Sequence, residues 1–357
     1  MKPRVSLVLG SGGARGYAHI GVIEELEARG YEIVSLSGCS MGALIGGVHA
    51  AGQLEGYRDW VCQLDYFDVL RLVDITWSAM GAMRAGRVMT KLESLVGDID
   101  IEDLPMPFTA VATDLTRQRE VWFQSGPLLR AIRASIAVPG IITPVQENGH
   151  VLVDGGLLNP LPIIPTVSVD ADLVLAVNAT AQTPRPVTLE DLLPADQAAE
   201  EHARELEREA AGKSFGGWLK GVRTRVQGMI STSGDDEAGE NGSLASQTER
   251  AWSKLDMMLA SFDITQAALA KYKVAGYPPD VLIEIPKSVC GAYEFHRAEA
   301  LIELGRHLAA QALDRHESQR DQTHVPAEPT DGARHPAASA DPQRRMPLPL
   351  SSPKRHG

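Results

Sequence analysis

A serine set between glycines, Gly38-Cys39-Ser40-Met41-Gly42, is the residue pattern in this chain best suited to covalent chemistry. A hydroxyl on a sharp turn between a strand and a helix projects outward, and flanking glycines let other backbone come close. The flanks fit that context. Tyr31-Glu32-Ile33-Val34-Ser35-Leu36 reads as a buried strand, and residues 43–51 read as a small-residue helix. A helix starting there directs N–H groups and the positive end of its dipole toward an oxygen under attack. Ser40 is therefore a candidate nucleophile, with an ordinary structural turn as the alternative.

A second glycine-rich turn, Gly10-Ser11-Gly12-Gly13-Ala14-Arg15-Gly16, follows the apolar run Val5–Leu9. Dinucleotide binding fits it poorly. Counted from Gly10, the last glycine position of the fingerprint holds Arg15, and the second strand does not end in an acidic residue. Gly212-Lys213-Ser214 is no phosphate loop either, because Glu207 stands where the first glycine belongs. The N–H groups of Gly12 and Gly13, with positive charge from Arg15, suit an oxyanion hole better. Each such donor is worth roughly 3–4 kcal/mol in a transition state. A tight turn without a ligand is the plainer reading.

A serine nucleophile needs a base, and no histidine stands in an obvious acceptor turn. His19 and His49 fall within helical patterns, and His150 precedes an aspartate by four residues. In Val151-Leu152-Val153-Asp154-Gly155-Gly156 an apolar strand delivers Asp154 to a turn made of two glycines. A buried carboxylate there would have its pKa raised toward the range useful to a general base. An aspartate that merely caps the turn is the alternative. Cys39 is a rival thiol, expected to point to the side of the elbow opposite Ser40.

Strand-like runs alternate with helical ones through the first half. Residues 108–114, 172–178 and 281–285 read as further strands, and Ile20, Ile23 and Leu26 mark a helix over 16–29. The pattern predicts a three-layer α/β/α sandwich on a mainly parallel central sheet. Residues 60–95 are rich in large apolar groups and read as core, or as the wall of an apolar substrate site. We divide the chain into a catalytic core at 4–181, an insertion at 182–247, a completing segment at 248–313 and a disordered tail at 314–357. Asp191–Ala211 reads as an acidic, solvated helix. Residues 215–230 place Trp218, Leu219, Val222, Val226 and Met229 on one stripe with Lys220 and Arg223 off it. That pattern suits packing on its own domain, or a peripheral contact with an anionic membrane.

A formal net charge of -12 argues against a nucleic-acid partner. Three scattered cysteines give neither a disulfide framework nor a zinc pattern, and the apolar run at 5–9 is too short for a signal peptide. A cytoplasmic location, with a peripheral membrane contact as an option, is the expectation.

The glycine loop 10–16, the elbow 38–42 and Asp154-Gly155-Gly156, in this order, resemble a patatin-like phospholipase of the soluble bacterial type. Ala134-Ser135-Ile136-Ala137-Val138-Pro139-Gly140 and Asn159-Pro160-Leu161-Pro162 are similar to the runs flanking that family's aspartate. The resemblance covers about residues 4–180, and the segment at about 182–250 has no counterpart in the family core. It implies a Ser40–Asp154 dyad in place of a triad, with Gly12 and Gly13 forming the oxyanion hole, helped by Arg15. It further implies hydrolysis of a lipid ester, such as a phospholipid or lysophospholipid, without metal or organic cofactor. A catalytically silent lipid-binding or regulatory protein using the same pocket is the alternative. Oligomeric state is left open.

Overall fold

The runs read as strands enter one sheet because their apolar side chains occupy both of its faces. The computed structural model describes residues 2–65, 68–69, 85–206 and 254–323. The amphipathic run at 215–230, the polar stretch at 231–247, most of the apolar residues at 66–84 and the tail from 324 onward lie outside the described residues. By contacts, Met1–Glu317 form one compact unit and Ser318–Gly357 a second.

Among the described residues the strands are β1 (Arg4–Leu9), β2 (Glu32–Cys39), β3 (Phe108–Asp114), β4 (Arg119–Phe123), β5 (Val145–Glu147), β6 (His150–Asp154), β7 (Leu173–Ala181) and β8 (Val281–Pro286). Their order is β5-β6-β3-β2-β1-β7-β8, with β4 also on β3. The stretch β3-β2-β1-β7-β8 is parallel, whereas β4, β5 and β6 pair antiparallel. The sheet is mixed but mainly parallel, as expected of the three-layer fold. Strand order reverses beside β1, so the loop after β1 opens at a topological switch point, where such sheets bind ligands.

One edge of β3 sets up the site. Ala110 pairs with Gly38 of β2 and with Phe123 of β4, while Ala112 pairs with Asp154 of β6 and with Val121 of β4. A strand residue has one partner on each side, so β2 and β6 share the edge of β3 opposite β4. They run toward each other along it. Cys39 is opposite Val111 and Asp154 is opposite Ala112, so the two C-terminal ends meet.

Among the described residues the named helices are α1 (Ala18–Ala28), α2 (Met41–Ala50), α3 (Leu54–Cys62), α4 (Gly86–Val96), α5 (Leu128–Ser135), α6 (Lys254–Gly276) and α7 (Ala298–Thr323). A further helical stretch spans 195–206. Leu7, Leu9, Leu175 and Val177 share a core with residues of α1, α2, α3 and α7. Alternate residues Val8 and Ala176 face the other way, onto Leu161, Ile163 and Ala270 of α6. The period of two along a strand separates these layers. The stretch expected as a solvated acidic helix is in part a clamp. Glu201, within it, is buried and pairs with Arg297 at 2.9 Å, and Glu190, just ahead of it, pairs with the same arginine at 3.0 Å.

Helices α1 and α7 touch through backbone. A Cβ on Gly21 would overlap the carbonyl oxygen of Ile302, and one on Gly305 would overlap that of Ala18. Gly21→Ala should therefore force the helices apart and destabilise the protein by about 1–3 kcal/mol. A thermal melt indistinguishable from wild type would contradict this close approach.

Candidate active site

Ser40 links β2 to α2 with φ 55° and ψ -121°, a left-handed backbone that a non-glycine residue adopts only at a cost of roughly 1–3 kcal/mol. Its surroundings hold it there. The Ser40 N–H donates to Oγ of Ser135 at 2.8 Å, and the Ser135 hydroxyl donates to the carbonyl of Val111 at 2.6 Å. A side chain on Gly38 would run into the backbone of Gly42, and one on Gly42 into the Leu9 carbonyl. The elbow needs both glycines because strand, turn and helix lie in backbone contact.

The Ser40 hydroxyl donates to Oδ2 of Asp154 at 2.5 Å. Asp154 is fully buried and Ser40 is 7% exposed. The other carboxylate oxygen, Oδ1, accepts the Gly156 N–H at 2.7 Å. Burial pushes the Asp154 pKa up to about 6, against the opposing pull of the Ser40 and Gly156 hydrogen bonds. Gly155 leaves no room for a Cβ beside the Val111 carbonyl, and Gly156 leaves none beside Gln266. The two glycines let the chain turn while the carboxylate stays inside.

The glycine loop is held on both sides of its centre. Gly10 N–H donates to Val177 at 2.9 Å, Ser11 N–H to Pro160 at 2.8 Å and Ala14 N–H to Ala292 at 2.8 Å. The N–H groups of Gly12 and Gly13 have no acceptor among the described residues. Gly13 lines the same cavity as Ser40. Arg15, expected to add charge to an oxyanion hole, stands behind the loop and is not among the residues lining the cavity. Its Nε donates to the Gly12 carbonyl at 3.1 Å, its Nη1 to the Lys287 carbonyl at 3.0 Å, and its Nη2 pairs with Asp263 at 3.5 Å. A planar trans peptide carries its C=O and N–H in opposite directions. By pulling on the Gly12 carbonyl, Arg15 directs the Gly13 N–H away from itself.

Among the described residues, the Ser40 hydroxyl is paired with Asp154 and with no histidine. His19 is buried, and its Nε2 lies 2.8 Å from the Gly10 carbonyl, so this nitrogen is the donor. Burial lowers its pKa to about 4, and burial does the same to His49. Both rings are neutral near pH 7. His150 Nδ1 lies 3.0 Å from Asp114.

Cys39 is not among the residues lining the cavity beside Ser40. Its Sγ lies 4.0 Å from Oδ1 of Asp154, against the carboxylate oxygen that Ser40 does not use. The pleat explains this, because Asp154 sits beyond the end of β2 and within reach of residues on either side of the turn. Burial, followed by the nearby Asp154 charge, holds the thiol far above the usual thiol range, so Cys39 is a protonated neighbour.

A cavity of about 170 Å³ opens beside Ser40. Its walls include Met41, Leu44, Trp60, Leu64, Val69, Val88, Ile136, Val138 and Phe295. Trp60, Leu64 and Val69 come from the apolar stretch at 60–95, so the described part of that stretch does contribute to a wall. Such a lining suits a hydrocarbon chain. Among the described residues, no helix is long and apolar enough to cross a membrane.

Ser135 was legible only as part of a motif. Gln266, against Gly156 and Ser11, had no sequence signal, since its partners are remote.

A family model described as patatin-like phospholipase matches residues 7–167, which include the glycine loop, Ser40 and Asp154. An uncharacterised NTE family protein of Mycobacterium tuberculosis (strain ATCC 25618 / H37Rv) is 42% identical over 345 residues, covering 90% of this chain and 94% of that protein. The neuropathy target esterase sws of Drosophila melanogaster is 31% identical over 192 residues, which are 52% of this chain and 13% of that protein. The lysophospholipase nte1 of Emericella nidulans is 31% identical over 182 residues, 49% of this chain and 12% of that protein.

Removing the hydroxyl of Ser135 leaves the Ser40 N–H without its partner inside the protein. Ser135→Ala should cost about 1–3 kcal/mol in urea unfolding. An unchanged midpoint and slope would show that Ser135 does not hold the elbow.

Proposed function

This chain belongs to the patatin-like phospholipase family and is a carboxylic ester hydrolase; we propose that it cleaves lipid esters through a Ser40–Asp154 dyad and an acyl-enzyme. The observation that carries this reading is the 2.5 Å hydrogen bond from a strained elbow serine to a buried carboxylate. Phospholipid and lysophospholipid are the substrates in view. The name lysophospholipase of a relative supports them, as does the apolar cavity beside Ser40.

In the first step Ser40 Oγ attacks the ester carbonyl carbon while its proton passes to Asp154 Oδ2. The carbonyl oxygen becomes an oxyanion held by the Gly13 N–H, with that of Gly12 beside it. Collapse breaks the bond to the alcohol, which leaves with the proton from Asp154. Water then gives a proton to Asp154 and attacks the acyl-serine. The second collapse frees the fatty acid and returns the proton to Ser40. Arg15 acts here through the Gly12 peptide, as a positioning residue.

Asp154 must be ionised to serve as base, so kcat/KM should fall as pH drops through about 6. Among the described residues the other titratable groups coupled to it are Cys39, held protonated by burial, and the part-exposed Tyr293, whose pKa desolvation and the Asp154 charge push up to about 12. Neither titrates in this window. A flat profile between pH 5 and 8, on the order of the range where His and raised carboxylates titrate, would remove Asp154 as the base.

Ser40→Ala and Asp154→Asn should each abolish turnover of short-chain nitrophenyl esters and of a lysophospholipid panel. A fluorophosphonate probe should label wild type at Ser40 alone. Lipid binding without labelling would favour the silent binder. Asp154→Asn has a second consequence. The folded pKa lies above the unfolded one, so the ionised carboxylate destabilises the fold as pH rises from about 4 to 6. The asparagine keeps the Gly156 bond and can reverse that to Ser40, so above pH 7 the inactive variant should melt higher than wild type.

A further inference from the structure

Helix α6 lies outside residues 7–167, the part matched by the family model, yet it packs behind the site. Gln266, at its middle, is 6% exposed. Its Oε1 accepts the Ser11 hydroxyl at 3.0 Å. Its Nε2 occupies the space that a Cβ on Gly156 would need, a space that Asp154 Oδ1 also borders. One side chain thus touches the loop that carries Gly12 and Gly13 and the turn whose N–H holds Asp154.

The rest of α6 acts in the same direction. Asp263 pairs with Arg15 at 3.5 Å, on the loop side. Lys273 pairs with Glu120 at 2.8 Å, and Glu120 accepts Asn159 Nδ2 at 2.8 Å, just beyond the Asp154 turn. Ser11 is itself shared, since its N–H goes to Pro160 and its hydroxyl to Gln266. A loop with two free N–H groups and a two-glycine turn have little stiffness of their own. A helix spanning both can supply it.

We propose that Gln266 is a positioning residue, which sets the oxyanion loop and the Asp154 turn in register with each other for the ester hydrolysis. This rests on the Ser40–Asp154 reading. Gln266 touches no reacting atom, and its effect passes through Ser11 on one side and Gly156 on the other. A displacement of about 1 Å at either group costs on the order of 100-fold in rate.

The test uses the full-length chain with a short-chain nitrophenyl ester, a melt and a pH profile for each variant. Gln266→Leu keeps the bulk and removes both polar atoms. Its kcat should fall roughly 10- to 100-fold with KM nearly unchanged. Its acid limb should move upward, because the Gly156 N–H that favours the ionised carboxylate is less well held. Gln266→Glu keeps the acceptor for Ser11 but sets a negative charge against Gly156, so its acid limb should rise further. Ser11→Ala should lower kcat without moving the limb. Combined with Gln266→Leu it should be little worse than Gln266→Leu alone, as expected for one shared contact.

Wild-type kcat and an unmoved limb in Gln266→Leu, with Ser40→Ala inactive, would overturn this inference alone. A loss of kcat that is additive with Ser11→Ala and leaves the limb in place would reduce Gln266 to filler, and would overturn it too. If Gln266→Leu fails to fold, the limb of Gln266→Glu and the kcat of Ser11→Ala decide in the same way. Turnover surviving in Ser40→Ala would overturn the dyad itself and this inference with it.

Discussion

Two strands running toward each other along one edge of β3 are the constraint on which the site depends. Successive residues Val111 and Ala112 take as partners Cys39 from one strand and Asp154 from the other. The hydroxyl and the carboxylate meet because sheet hydrogen bonds fix both chain ends, with no long side chain bridging a gap. This explains how two short side chains form a 2.5 Å bond inside the protein. The register of β3 also fixes Ser135, whose hydroxyl takes the Val111 carbonyl and receives the Ser40 N–H.

Such a junction leaves no room between strands, turns and helices, which accounts for where the small residues fall. Gly38, Gly42 and Gly155 each lie against another backbone segment, and a methyl group would not fit. One face of β1 and β2 carries three serines beside Val8. Ser6 bonds Ser35 across it at 2.8 Å, and Ser37 donates to the Pro162 carbonyl at 2.5 Å. That face admits the chain following Asp154, which in turn presents the Pro160 carbonyl to Ser11. The carboxylate turn and the glycine loop are thus tied through a shared strip of backbone, and α6 closes over it.

The types of the central residues were legible because each had to obey a local rule. A nucleophile at an elbow needs glycine neighbours, and a carboxylate turning into a buried corner needs glycines after it. The apolar strands were legible for a similar reason, since β3 is buried along its whole length. Arg119–Phe123 opens with two charged residues and has only three apolar residues in a row, so β4 was not apparent. It is a strand because β3 supplies its partner. The direction of β6 was equally hidden, and with it the head-to-head meeting of strands. Arg15 was read by its charge, but its charge is spent on Asp263 and on two carbonyls from the far side of the loop. What a sequence window does not hold is the partner that comes from a distant one.

A buried carboxylate poses two opposed demands. Strength as a base calls for desolvation, which raises the pKa, whereas readiness at neutral pH calls for the ionised form, which burial disfavours. Two hydrogen bonds resolve this at an intermediate point. The Ser40 hydroxyl and the Gly156 N–H favour the anion enough to bring its pKa back to about 6, below neutrality, but do not restore that of a solvated aspartate. In the proposed reaction the first of these bonds is also the path of the proton. Stabilisation of the resting charge by Ser40 therefore disappears as the hydroxyl proton is transferred, while the Gly156 N–H stays in place. The turn that holds this N–H thus bears on the base at every stage, and its stiffness matters as much as the identity of the aspartate.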